Sequence, residues 1–336
     1  MTRAFICGCA GSAFSDDERA FVRKSRPWGL ILFRRNVVDR RQLAALASDF
    51  RALAERQEAP ILIDQEGGRV QRLASPNWRV YPPAARFESL PTLEVSERAA
   101  WLTARLIAYD LREVGVTVNC APVLDVGDEL THAVIGSRAF SSRPDIVARL
   151  ARRYRDGLTD GAVAPVIKHI PGHGRTRVDS HLELPTVDAQ LSDLAAKDFV
   201  PFIALRDTPI AMSAHIVFRS VDAQRAATVS PVVVADVIRR QIGFEGLLLS
   251  DDLSMNALKG SLGDRARAAF DAGIDVALHC NGNLAEAQEI ASAAPLLEGI
   301  SLKRAEIGLL ATQRQPTFFD PVLGAKELFE LLPPAD

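Results

Sequence analysis

Several features are scarce or missing in this sequence of 336 residues, and each absence argues against a class of protein. No segment is long and apolar enough to span a bilayer, so we expect no membrane contact. The 40 basic and 42 acidic residues leave a formal net charge of −2, which gives no general attraction to nucleic acid. Low-complexity tracts, long charge runs and Pro/Ser/Gly-rich linkers are also missing, and we therefore expect one domain over residues 1–336.

Cysteine is rare, and its four copies all lie in apolar segments: Cys7, Cys9, Cys120 and Cys280. A zinc site more often shows cysteine pairs separated by about two to four residues. We interpret these cysteines as small buried side chains in a reducing compartment. The short apolar N-terminal stretch is followed at once by a capping box of Ser15 and Glu18, which predicts a first strand rather than a signal peptide. The sequence therefore predicts a cytoplasmic protein.

Short apolar runs recur along the chain, and each is followed by a segment with helical periodicity. The predicted strands are Ala4–Cys7, Leu30–Phe33, Pro60–Ile63, Val116–Asn119, Pro165–Lys168, Ile210–Ser213, Leu247–Ser250 and Val276–His279. These runs are continuously hydrophobic rather than alternating, which is typical of parallel strands covered on both faces. The segments between them carry helix signals, such as the apolar stripe Leu43, Leu46, Phe50 and Leu53 after a predicted N-cap at Asp39.

Eight such units predict the α/β class and a single-domain (β/α)₈ TIM barrel. A doubly wound sheet is the alternative, but no G-x-G-x-x-G motif follows a strand. From about Leu284 to Leu310 we expect helices that close the barrel. The tail after Pro316 is expected to pack along the surface.

Polar residues collect where the predicted strands end, which is where the active sites of such barrels form. The groups are Asp64–Arg69 after strand three, Lys168-His169 at strand five, Ser213–His215 at strand six and Ser250–Asp252 at strand seven. A single Asp or His at a strand end is often a helix cap or a structural group. Several charged groups at one barrel mouth need partners, which a polar substrate supplies.

The loop Ile170–Leu184, IPGHGRTRVDSHLEL, is the most informative segment. Asp179 and His181 lie two residues apart, so a non-helical turn could bring the carboxylate against the imidazole. A carboxylate bonded to one ring nitrogen fixes the tautomer and raises the basicity of the other nitrogen. A solvated surface loop with a chance Asp-x-His remains the alternative at this point.

Seven motifs, taken in chain order, resemble those of family-3 glycoside hydrolases. They are LILFRRN (30–36), IDQEGGRVQR (63–72), NCAPVLDV (119–126), GSRAF (136–140), KHIPGHG…DSH (168–181), MSAH (212–215) and SDDLSM (250–255). The sequence is most similar to the bacterial single-domain β-N-acetylhexosaminidases of peptidoglycan recycling. Two departures occur: Arg175 and Ser137 stand where the family commonly has Asp.

The resemblance implies a retaining enzyme that removes terminal non-reducing N-acetyl-β-D-glucosamine from peptidoglycan fragments, including GlcNAc-anhydroMurNAc and its peptides. It implies Asp251 as nucleophile, in preference to its neighbour Asp252, and His181 as general acid/base with Asp179 as partner. The implied sugar-binding residues are Asp64, Arg72, Arg138, Lys168 and His169. Neither a cofactor nor a metal is implied, and we expect a monomer.

This assignment agrees with the chemistry, since retaining hydrolysis needs a nucleophile and an acid/base group on opposite sides of the anomeric carbon. Histidine, with an ordinary pKa of about 6.5, can donate a proton and later accept one near neutral pH.

Three alternatives remain. A metal-dependent barrel hydrolase could bind zinc through His169, His173, His181, Asp64 and Asp251, but the first strand lacks an H-x-H motif. A phosphorylase could use the same pair, because neutral histidine repels phosphate less than a carboxylate does. A non-catalytic sugar-binding module would not need both Asp251 and the Asp179/His181 pair.

Overall fold

The computed structural model describes residues 1–128, 133–177 and 184–332, and its centre is a closed barrel of eight parallel strands. Each strand pairs with its neighbours in chain order, and the eighth pairs with the first. The strands are β1 (Arg3–Cys7), β2 (Pro27–Leu32), β3 (Ile61–Ile63), β4 (Val118–Asn119), β5 (Ala164–Ile170), β6 (Ile210–Ser213), β7 (Leu247–Asp252) and β8 (Val276–His279). The predicted (β/α)₈ barrel is confirmed, and every predicted strand overlaps an observed one.

Helices surround the barrel, mostly on the return path from one strand to the next. They are α1 (Asp16–Ser25), α2 (Arg40–Leu53), α3 (Ala85–Glu88), α4 (Leu93–Glu113), α5 (Pro144–Asp160), α6 (Leu191–Ala196), α7 (Val200–Ala204), α8 (Leu262–Ala272), α9 (Leu284–Ala293), α10 (Gly299–Leu309) and α11 (Pro321–Leu331). The predicted caps are present: Asp39 accepts from the Gln42 N–H, and Ser15 and Glu18 form a capping box. None of the helices in the described ranges combines the length and apolar character needed to cross a membrane.

One helix differs from the prediction in its winding. Ser230 caps the helix after β6, accepting a hydrogen bond from the Val233 N–H at 3.2 Å, but Val233–Gln241 has π-helical geometry. The Ile242 N–H bonds to the Val237 carbonyl, five residues back. Over so short a segment, the periodicity of apolar residues does not distinguish a π-helix from an α-helix.

The core has two layers, because successive strand side chains point to opposite faces. Side chains such as Ile6, Ile31 and Leu62 fill the barrel interior, whereas their strand neighbours pack outward against the helices. Leu309 and Ala305 of α10 belong to the interior cluster, together with Leu297, Ala4 and Trp28. Apolar side chains thus close the end of the barrel at which the strands begin, and polar groups collect at the opposite end.

The chain beyond α10 packs against α4. Arg98 of α4 makes a two-pronged ion pair with Glu327 of α11, with both N···O distances at 2.7 Å. The Phe319 ring lies edge-on to Trp101, with 6.0 Å between the ring centroids. All four cysteines are buried free thiols, as the sequence predicts.

Candidate active site

A cavity of about 300 Å³ opens at the carboxyl ends of the strands, near the lower limit for small-molecule sites. Six residues predicted for the site line this cavity: Asp64, Arg72, Arg138, Lys168, His169 and Asp251. They come from β3, the hairpin after it, the loop after β4, the end of β5 and the end of β7. The other two predicted residues, Asp179 and His181, lie outside the described residues.

Five charged side chains of alternating sign form a network at one side of the cavity, and all but Glu66 line it. The Lys168 Nζ lies 2.7 Å from Asp64 Oδ1 and 2.7 Å from Glu66 Oε1. Arg138 donates two hydrogen bonds to the Glu66 carboxylate, at 2.8 and 2.7 Å. Arg72 reaches Asp64 at 3.2 Å. Each buried charge therefore has an opposite charge within hydrogen-bond distance, which is the condition for keeping it ionised away from water.

The pKa values of the network follow from this pairing. Burial raises the pKa of Glu66, but Arg138 and Lys168 outweigh burial and bring it down to about 2. Burial also raises the pKa of the Asp64 carboxyl, but Lys168 and Arg72 lower this pKa by more, so it lies well below its usual range. Burial lowers the pKa of Lys168, but Asp64 and Glu66 raise it above its usual value. The network therefore stays fully charged at neutral pH.

Glu66 was not predicted as a site residue, although it belongs to the IDQEGGR motif. Its position two residues after Asp64, at a strand end, was the available signal. Its partner Arg138 is 72 residues away in sequence, so the pairing depends on tertiary structure.

A tight hairpin after β3 brings Arg72 back to Asp64. Its strands are Gln65–Gly67 and Val70–Gln71, and Gly68 between them has a positive φ of 57°. The buried Gln65 side chain accepts hydrogen bonds from the N–H groups of Arg72 and Leu73, at 2.8 and 3.0 Å. The hairpin is thereby held to the strand end, which places the guanidinium over the cavity.

A second buried carboxylate organises the histidine side of the cavity. Asp125 Oδ2 accepts from His169 Nδ1 at 2.7 Å. Its Oδ1 accepts from the backbone N–H groups of His169 and His173, at 3.2 and 2.7 Å. Burial raises the pKa of Asp125, but His169 and the other bonds bring it down to about 2. Asp125 belongs to the NCAPVLDV motif but was not predicted as a site residue.

The structure distinguishes Asp251 from Asp252. The Asp252 carboxylate holds the turn after β7, accepting from the N–H groups of Ser254 and Cys280 at 3.0 and 3.1 Å and from the Ser254 hydroxyl at 2.7 Å. Asp251 accepts only from the Asp252 N–H, at 2.8 Å, within the described part of the chain. Its other oxygen is therefore available to a ligand in the cavity.

Histidines on two sides influence Asp251. Burial raises the pKa of Asp251, whereas His215 and His169 lower it, and the net shift is downward. His215 Nε2 donates to the Asp252 carbonyl at 3.0 Å, so this ring supports the backbone that carries Asp251. Burial lowers the pKa of His215, which favours the neutral ring. Asp251 is thus an ionised carboxylate in a largely desolvated site.

The described part of the loop after β5 accounts for one departure from the family pattern. Arg175 Nε donates to Asp198 at 2.6 Å, and Asp198 is buried. Gly174 packs so closely on the chain that a Cβ there would collide with the Val126 carbonyl oxygen. Arg175 is therefore part of the loop's attachment to the barrel. Ser137, the other departure, is exposed and does not line the cavity.

The alternative of a zinc site was also compared with the structure. In residues 1–128, 133–177 and 184–332, no three His, Cys, Asp or Glu side chains are grouped so that they could hold a metal ion. His169 Nδ1 is bonded to Asp125, and His173 Nδ1 lies 2.9 Å from the Thr176 hydroxyl.

Fold and cavity together define a barrel enzyme whose ionic site lies at the carboxyl ends of the strands. Residues 5–309 match the family described as "Glycosyl hydrolase family 3 N terminal domain". The chain belongs to glycosyl hydrolase family 3 and is a glycoside hydrolase.

Known proteins of this family resemble the chain in sequence and structure. The β-hexosaminidase of Alkalilimnicola ehrlichii is 41% identical over 285 residues, covering 82% of this chain and 80% of that protein. NagZ from Neisseria gonorrhoeae in complex with N-trifluoroacetyl-D-glucosamine has a TM-score of 0.87 at 30% identity, covering 98% of both chains. A family 3 β-N-acetylglucosaminidase from a Paenibacillus strain has a TM-score of 0.83 at 31% identity, covering 92% of this chain and 60% of that one. These matches confirm the predicted family and enzyme class.

The network leads to a prediction on stability. We expect Glu66→Gln to lower the free energy of unfolding at pH 7 by about 3 kcal/mol, because Arg138 loses its buried counter-charge. The folded pKa of Glu66, about 2, lies below the unfolded value of about 4.3. Its charge therefore stabilises the fold above about pH 4.3, and this contribution is lost as the pH falls towards 2. In urea unfolding, the difference in the free energy of unfolding between wild type and Glu66→Gln should become smaller by about 1 to 2 kcal/mol from pH 7 to pH 3.

Glu327→Gln is the matched control for that experiment, since Glu327 also accepts two hydrogen bonds from one arginine, but at the surface. Its effect should stay below about 1 kcal/mol. If Glu66→Gln lowers the free energy of unfolding by as little as the control, or lowers it by more at low pH than at pH 7, the role of this pairing is contradicted.

Proposed function

We propose that this protein is a retaining β-N-acetylglucosaminidase that removes terminal non-reducing N-acetyl-β-D-glucosamine from peptidoglycan fragments. GlcNAc-anhydroMurNAc and its peptides are the proposed natural substrates. The observation that carries the proposal is the placement of Asp251 in one small cavity with all five predicted sugar-binding residues. Curated relatives named β-hexosaminidase and the NagZ complex with an N-acylated glucosamine support the sugar class.

The charged wall suits a hexose. A sugar presents neighbouring hydroxyls that each donate and accept hydrogen bonds, and Asp64, Lys168 and Arg72 offer acceptors and donors side by side. Because each of these groups already has an oppositely charged partner, the cavity can bind an uncharged ligand without leaving an unpaired buried charge. Met212, Leu278 and Ile31 contribute the apolar part of the lining.

We assign Asp251 as the nucleophile. Its ionised carboxylate would attack the anomeric carbon as the glycosidic bond breaks, which gives a covalent glycosyl-enzyme. We assign His181, with Asp179 as its partner, to protonate the departing oxygen and then to take a proton from the attacking water. Hydrolysis of the ester bond to Asp251 would release the sugar with its β-configuration retained.

The setting of this activity is part of the proposal. We place the protein in the cytoplasm and expect it to act as a monomer, with neither a metal nor a cofactor. Four buried free thiols are in keeping with a reducing compartment.

The substrate assignment is tested with paired chromogenic substrates. We expect turnover of an aryl N-acetyl-β-glucosaminide to exceed that of the matching aryl β-glucoside, because the proposed subgroup takes N-acetylated sugars. Equal rates would contradict that subgroup and leave a less selective glycosidase.

The assays are run with and without phosphate, since a rate that requires phosphate and yields a sugar phosphate would identify a phosphorylase. Loss of activity in chelator, restored by zinc, would favour the metal-dependent hydrolase.

The nucleophile is tested by substitution and trapping. Asp251→Ala should reduce turnover to below about one-thousandth, because the covalent intermediate cannot form. A fluorinated N-acetylglucosaminyl substrate analogue should label Asp251 in the wild type, and mass spectrometry of the peptides locates the label. Asp252→Asn is the matched neighbour, and this variant should still be labelled at Asp251. Label on Asp252, or a product released first as the α-anomer, would refute the assignment.

The acid/base pair is tested by the leaving group. A nitrophenolate departs with little protonation, whereas a sugar alkoxide requires it. His181→Ala should therefore slow a natural disaccharide far more than a nitrophenyl substrate, and Asp179→Asn should act in the same direction. If the residues act as one unit, the losses in the double variant will not add. Similar losses on both substrates would indicate that the pair only orders the loop.

A further inference from the structure

Asp125 is the most completely buried carboxylate near the cavity, with 0% of its surface exposed, and it does not line the cavity itself. It follows β4 and reaches across to the end of β5. Within the described part of the chain it accepts three hydrogen bonds, all from two residues at or just after that strand end, His169 and His173. This buried carboxylate is therefore bonded to one strand end, and it affects that strand end in two ways.

The first effect is on the tautomer of His169. An ionised carboxylate has no proton to donate, so the 2.7 Å contact requires the proton to lie on His169 Nδ1. In the neutral ring, Nε2 then carries a lone pair. Nε2 has no hydrogen-bond partner among the described residues, and the ring lines the cavity. His169 therefore presents an acceptor to a ligand rather than a donor.

The second effect is on the start of the loop after β5. Asp125 Oδ1 accepts from the His173 N–H at 2.7 Å, and the Gly172 N–H bonds to the His169 carbonyl at 2.7 Å. The same carboxylate thus fixes the ring that faces the cavity and the backbone from which the loop departs. The His169 ring and the His173 N–H both point to this one carboxylate.

We propose that Asp125 is a positioning residue that sets His169 as a hydrogen-bond acceptor for a sugar hydroxyl. The substrate part of this inference rests on the function proposed above, whereas the tautomer does not. Asp125 itself touches no substrate, and it acts through the His169 ring.

The tautomer can be measured in the wild-type protein without substrate. With ¹⁵N-labelled histidine at about pH 8, where the ordinary imidazole is neutral, NMR distinguishes the protonated nitrogen from the bare one. His169→Gln identifies the His169 signals by their loss. We expect a proton on Nδ1 and none on Nε2. A proton on Nε2 in the wild type would overturn the proposal, whatever the enzyme's activity.

Asp125→Asn separates the tautomer from the backbone support. The asparagine oxygen can keep both bonds from backbone N–H groups, but its NH₂ group would face His169 Nδ1 and move the ring proton to Nε2. We expect NMR to show this reversal. kcat/KM should fall about 10- to 100-fold, the range seen when the orienting partner of a metal-bound histidine is removed, with KM carrying much of the loss. In the His169→Gln background the same change should cause no further loss.

Asp275→Asn is the matched control. Asp275 is also buried and accepts from a backbone N–H, that of Leu248 at 2.9 Å, and from Arg239 at 2.9 Å, but it lies at the start of β8. This variant should lower the thermal midpoint and keep kcat/KM within about twofold of wild type. An equal loss of kcat/KM in both variants, or an additive loss with His169→Gln, would reduce Asp125 to a structural role. If the wild type is inactive on the sugar substrates, the proposed function fails while the tautomer measurement still stands.

Discussion

The buried pairing of Lys168 with two carboxylates is the constraint on which the rest of the site depends. An ammonium group with almost no exposure is unfavourable in a protein interior unless opposite charges lie beside it. Asp64 and Glu66 supply these charges, and Glu66 in turn needs Arg138, whose Nε donates to its second oxygen. The hairpin after β3 must therefore fold back over the strand end, and the loop that carries Arg138 must reach across to it. Breaking one pair leaves the next charge uncompensated.

The barrel permits this network because its two ends are built differently. The end at which the strands start is closed by an apolar cluster that includes Ala305 and Leu309 of α10. At the other end, several strands carry polar residues at or next to their last residue, such as Asp64 after β3, His169 in β5 and Asp251 in β7. The curvature of the barrel directs these residues towards one axis. Asp251 and Asp252 both line the cavity, but the Asp252 carboxylate is bonded to its own loop, to the N–H groups of Ser254 and Cys280. Two neighbouring carboxylates thus differ in how many hydrogen bonds they accept from the described residues, one for Asp251 and three for Asp252.

Much of this arrangement could be predicted from the sequence, because parallel strands covered on both faces leave continuous apolar runs. Residues at strand ends could be assigned to one site once the barrel was recognised, and six of those predicted do line the cavity. Glu66 and Asp125 were missed because their roles come from partners on other strands, and spacing along the chain does not reveal such pairs. The π-helical winding of Val233–Gln241 was missed since a short apolar stripe fits two helical periods. The roles of Asp179 and His181 stay predictions.

The burial of the four cysteines also bears on how this enzyme can be handled. Burial, with the nearby Glu18, raises the pKa of the Cys9 thiol to about 12, and burial places Cys7 and Cys120 above their usual range as well. A thiol reacts with maleimides and other alkylating reagents as the thiolate, so these side chains are shielded both by position and by protonation. Cys7, Cys9 and Cys120 therefore form a silent background for cysteine labelling, whereas Cys280 lines the cavity and is replaced first. A cysteine at the exposed position of Arg177 would then carry a fluorophore or spin label in the loop after β5, with the other three native cysteines left in place.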